Sequence, residues 1–111
     1  MGRYINEIGS AASSIIVEVT GNHNAAVGER ILADVTGGGF TITLPANASL
    51  LLGDQIQIID VTSQLENNNI LIDRNGSNIQ GNADDLTLDI SGASVILLYT
   101  GATYGWVISS T

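Results

Sequence analysis

Residues 28–61 read GERILADVTGGGFTITLPANASLLLGDQIQIIDV. The pattern predicts three β-strands, over 29–35, 40–44 and 55–61. Phe40, Ile42 and Leu44 alternate with Thr41 and Thr43. A period of two puts the apolar side chains on one face and the threonines on the other. Ile56 and Ile58 oppose Gln55, Gln57 and Ile59 in the same way. Gly37, Gly38 and Gly39 separate the first two strands. Glycine reaches positive φ without steric cost, so the triplet reads as a hairpin turn. Pro45, the only proline, has no N–H for a ladder and ends the second strand. No reactive group stands out here, and the block reads as scaffold.

Working outward, residues 15–20, IIVEVT, form a strand by their β-branched content. Residues 21–24 are a turn that carries His23. Residues 46–52, ANASLLL, fit either a single helical turn or an apolar loop. Leu50, Leu51 and Leu52 are contiguous, so no single face can hide all three. Neighbouring strands or another subunit must cover them. The asparagine-rich stretch 62–69 reads as a surface loop. Strand 70–74 is followed by Asn75-Gly76, a type I′ turn signal. After a short piece around Ile79, residues 86–90 alternate as a half-buried strand. Residues 95–99, VILLY, are apolar on both faces, which fits a central or interface strand. A loop over 100–105 leads into a last strand at 106–108. There is no long amphipathic helix, no sequence repeat and no linker. The pattern predicts an all-β fold, a compact antiparallel sandwich or barrel-like domain with at least six strands. Residues 1–14 are set apart as an N-terminal arm before a β-domain over 15–111. Tyr4, Ile5 and Ile8 give the arm an apolar side. They are the candidate residues for anchoring the chain to a larger assembly, ordering when they bind.

The length, 111 residues, fits one domain. The chain is 44% hydrophobic and 13% charged, against about 25% charged in an ordinary soluble domain. So few charges cannot cover a small monomer, which implies that apolar surface is buried between copies in a closed oligomer. Leu50, Leu51, Leu52, Val95, Leu97 and Tyr99 are the candidate interface residues. The net charge is −8, with three arginines and no lysine. Nucleic acid and anionic membrane surfaces both demand clustered cations, so neither is an expected partner. Cysteine is absent, which removes disulfides and thiolate chemistry. The first residues lack the apolar centre of a signal peptide. The apolar runs are far shorter than the roughly 20 residues that span a bilayer. A soluble chain made in a cytoplasm is expected, without membrane insertion.

Catalytic chemistry finds little to use. Nucleophilic catalysis needs an activated Ser, Cys or Lys beside a base, and His23 is the one histidine. It reads as an exposed turn residue; in a trimer, three copies could instead meet on the axis and bind a metal. Glu29, Asp34, Asp54, Asp60, Asp73 and Asp89 are scattered along the chain, without the opposed pair a glycosidase needs. Asp73, Asn75 and Gly76 resemble the opening of a Ca²⁺ loop but lack its distal ligands, so a turn is expected. Gly37–Gly39 lacks the following lysine of a phosphate loop. Tyr104 and Trp106, near asparagines and aspartates, are candidate glycan contacts, since sugar faces stack on rings; a lone Trp is more often core. No catalytic, cofactor or metal site is expected.

The motifs Gly28-Glu29-Arg30, Phe40-Thr41-Ile42-Thr43-Leu44-Pro45, Gly53-Asp54 and Arg74-Asn75-Gly76-Ser77 recur in order. They continue with residues 79–84, Tyr99-Thr100-Gly101 and Gly105-Trp106. Over residues 27–108 this series resembles a β-rich domain of tailed-bacteriophage virion proteins. Such domains are found in tail-fibre, baseplate-associated and other appendage proteins, often in phages of cyanobacteria and other aquatic hosts. The resemblance implies a non-enzymatic structural module, usually homotrimeric, that works in the virion beside other phage virion proteins. Family domains commonly end longer fibre chains, whereas this one follows only a short arm. That difference raises a capsid decoration or cement protein as an alternative. A receptor module that touches host surface glycans is a further one.

Overall fold

The computed structural model describes residues 15–110. They form nine strands: β1 (Ile15–Val19), β2 (His23–Asn24), β3 (Glu29–Ala33), β4 (Phe40–Thr43), β5 (Gln55–Asp60), β6 (Ile70–Asp73), β7 (Leu86–Leu88), β8 (Ser94–Tyr99) and β9 (Trp106–Ser110). One 3₁₀ turn, Asn47–Ser49, lies between β4 and β5. The all-β expectation holds, and the strands fall within a residue or two of their expected limits, except β2, which was expected as a turn. The arm residues Tyr4, Ile5 and Ile8 lie outside the described residues.

The strands build two mixed sheets. The first has the order β1-β3-β5-β8-β9 and the second β2-β4-β6-β7. Neither order returns to its starting strand, so there is no closed barrel among the described residues. Successive strands from β1 to β6 alternate between the sheets, and β1, β2, β3 and β4 each pair in parallel with the strand two further on. The chain therefore winds around a shared interior. The winding ends at β7 and β8, which pair antiparallel with β6 and β5, and β9 returns along β8.

This corrects the antiparallel expectation and the hairpin expected at Gly37–Gly39. The glycines lead from one sheet to the other. Gly38 (φ 129°) donates its N–H to Val35 O at 3.0 Å. A Cβ on Gly39 would overlap the carbonyl of Asn69, so the corner packs directly on the loop before β6. Alternation fixes which face of a strand is buried; it does not fix which strand lies beside it. Phe40 and Ile42 are satisfied equally by facing the first sheet across the core.

Alternate residues of both sheets form one apolar cluster. Ile31, Ile56, Ile58 and Leu97 from the first sheet meet Ile42, Ile70 and Ile72 from the second, together with Leu44, Leu65 and Trp106; all are fully buried. On β8 the inward residues are Val95, Leu97 and Tyr99, while Ser94, Ile96 and Leu98 face outward. The interface assignment of Val95, Leu97 and Tyr99 is therefore wrong. They are core, and the outward apolar residues of that strand are Ile96 and Leu98.

Candidate functional site

Six of the described acidic residues are built into turns. Asp34 accepts the N–H and hydroxyl of Thr36 at 2.9 and 2.7 Å. Both bonds, the hydroxyl first, hold its carboxyl below the usual value. Asp54 accepts Leu51 N–H at 2.8 Å, Asp73 accepts Asn75 N–H at 2.9 Å and Asp85 accepts Arg74 N–H at 3.0 Å. Glu29 accepts Ala26 N–H at 3.0 Å through the same oxygen that lies 2.9 Å from His23 Nε2. Asp60 is buried and takes the most bonds. It accepts Thr62 N–H and hydroxyl on one oxygen, and Leu65 and Gly92 N–H on the other. Each carboxylate closes a corner whose backbone N–H would otherwise lack a partner.

His23 is thus a half-buried member of β2 bonded to Glu29, rather than an exposed turn residue. Sequence reading missed this pair because a six-residue separation across an irregular corner leaves no periodic signal. No group of three or more metal-ligating residues forms among the described residues. The Asp73–Ser77 stretch is a turn, as expected. Asn75 and Gly76 have φ of 47° and 91°, and Ser77 N–H donates to Arg74 O at 3.1 Å.

A shallow trough of about 550 Å³ lies on the outer face of the first sheet, where β3 and β5 begin. Its wall is a polar row. Arg30 Nε donates to Gln57 Oε1 at 3.0 Å, and Gln57 Nε2 donates to Ser94 Oγ at 3.0 Å. Val27, Glu29, Asp54 and Ile96 are among the other lining residues.

Apolar side chains gather around the same end of the sheet. Because β1, β3 and β5 are parallel, their first residues share one rim. Ile15 and Ile16 (58% and 65% exposed) begin β1, Val27 (39%) precedes β3, and Leu51 and Leu52 (73% and 76%) precede β5. Tyr104 (63%) belongs to the β8–β9 loop, which comes to the same rim because β8 is antiparallel to β5. The loops touch: Gly53 N–H donates to Tyr99 O at 2.9 Å, and a Cβ on Gly101 would sit 3.4 Å from the Leu52 side chain. Among the described residues, six of the nine exposed large apolar ones thus lie on this rim; Val61, Leu71 and Ile90 lie elsewhere.

Of the expected interface residues, Leu51 and Leu52 are exposed and Leu50 packs against the core. The two glycan candidates separate. Tyr104 is exposed, but Trp106 is fully buried. Its ring meets Tyr99 edge to face at 5.5 Å, so it offers no face to a sugar. No protein-family model matches the chain, and no curated protein matches it.

Proposed function

We propose that this chain is a non-enzymatic structural protein of a tailed-bacteriophage virion. In this reading it is a homotrimeric, sandwich-like β-domain of a tail-fibre or baseplate appendage. The observation that favours a structural role is the use of the carboxylates. Glu29, Asp34, Asp54, Asp60, Asp73 and Asp85 each hold a backbone N–H of a corner. An acid or base catalyst must be aimed at substrate; these carboxylates are instead oriented by the backbone they hold, and Asp60 uses both of its oxygens that way. The virion assignment rests on the resemblance of residues 27–108, and the trimer on that resemblance together with the low charge.

The arm, residues 1–14, is the attachment segment in this reading. Deleting residues 2–14 is expected to leave the melting temperature nearly unchanged and to abolish incorporation into particles. Truncated protein found on virions at normal copy number would refute the attachment role. A reconstruction of the particle that fails to show the chain would refute the virion role itself.

A further inference from the structure

We infer that the rim formed by Ile15, Ile16, Val27, Leu51, Leu52 and Tyr104 is where copies of this chain bury surface against one another. The inference rests on the oligomeric reading above and specifies the surface that carries it. Burying a Val, Leu or Ile side chain removes on the order of 100 Å² from water, and an aromatic one roughly 150–250 Å². At the observed exposures the six residues leave on the order of 400–500 Å² open, half of the about 800 Å² that each partner of a standard interface buries. Apolar surface of that size at one end of a small domain matches the largest patches monomers expose, which mark interaction sites.

The rim is also the right kind of surface for a copy of the same chain. The copies share a net charge of −8, so they repel unless they meet where exposed carboxylates are few. Glu29, the acidic residue nearest the middle of the rim, is 11% exposed and bonded to His23 and Ala26 N–H. Asp54 is turned onto Leu51 N–H. The contact therefore sets apolar side chains around the polar trough, with Glu29 and Asp54 each bonded to a backbone N–H. The arm joins the fold at Ile15, on this rim, so association here gathers the arms of all copies at one junction. That arrangement suits an attachment made by several short segments together.

The test compares Leu51→Glu/Leu52→Glu with Val61→Glu, which places charge on an exposed apolar residue at the other end of β5. Native mass spectrometry at micromolar concentration is expected to show oligomers for the unaltered chain and for Val61→Glu, and monomers for the rim variant. The rim variant should keep its β circular dichroism. If it stays oligomeric, the interface lies elsewhere and this inference falls while the oligomer stands. If the unaltered chain is monomeric, the oligomeric reading and the inference fall together. Should the double variant not fold, the absence of cysteine provides a second measurement. In the assembled protein Leu52→Cys should react with a maleimide at least tenfold more slowly than Val61→Cys. Equal rates would overturn the assignment.

Discussion

Asp60 joins three segments of the chain through one carboxylate: the end of β5, the turn to Leu65 and the corner at Gly92. Burial pushes its carboxyl up. The N–H groups of Gly92, Leu65 and Thr62 and the Thr62 hydroxyl pull it further down, and the net position lies below the ordinary value. A carboxylate depressed in the folded state adds stability above its unfolded pKa, and that stability is lost as pH falls through the folded pKa. Asp60→Asn is expected to cost about 1–3 kcal/mol at neutral pH. The difference from the unaltered chain should narrow as the solution is acidified. Urea titrations at several pH values check this, and a difference independent of pH refutes it. Gly105 is a second position with one solution. Its φ is 69°, and a Cβ there would overlap Asn78 O, which accepts Trp106 N–H at 2.9 Å. Gly105→Ala should destabilise by at least about 2 kcal/mol, from backbone strain and crowding together, measured as a lowered denaturation midpoint.

The strand β8 shows how far pattern alone carries. Its run Val95–Tyr99 is apolar at every position, so alternation could not say which residues face inward. Its pairing decides that: Leu97 lies opposite Ile56, and Leu98 opposite Gln55. Leu97→Ala should therefore cost about 2–5 kcal/mol by opening a core cavity. Leu98→Ala, one residue on, should cost about 1 kcal/mol or less. Reversed costs in chemical denaturation would show the register to be wrong. Strands 40–44 and 55–61 were legible because Thr and Gln interrupt the apolar residues and mark the outer face. The winding was not legible. Ile15 pairs with Glu29 but Arg30 pairs with Gln57, so successive turns of the chain differ nearly two-fold in length and leave no repeat. The rim was half legible. The contiguity of Leu50–Leu52 signalled that something must cover them, but only the pairing, parallel for β1, β3 and β5 and antiparallel for β8, brings Ile15, Val27 and Tyr104 to the same end.

At the scale of the whole molecule, winding makes stability depend on contacts between distant parts of the chain. Each parallel pair closes only after the chain has crossed to the opposite sheet and returned, and loop closure of that kind must precede the contacts that reward it. The inner strands gain most. β5 has β3 on one side and β8 on the other, and β4 lies between β2 and β6. β1 has one neighbour, carries two exposed isoleucines and leaves one edge unpaired within the described residues. Amides of β5 that point to either neighbour open only when the first sheet is disrupted; those of β1 open when one edge frays. Hydrogen exchange is therefore expected to be slowest over residues 56–59 and fastest, among the strands of this sheet, over 15–19. In the monomeric Leu51→Glu/Leu52→Glu variant the order should persist. Protection at Ile15 and Ile16 should fall relative to the assembled chain, because copies that meet on the rim also shield the start of β1. Exchange at 15–16 that is unchanged between assembled and monomeric protein would place those two isoleucines outside the buried surface.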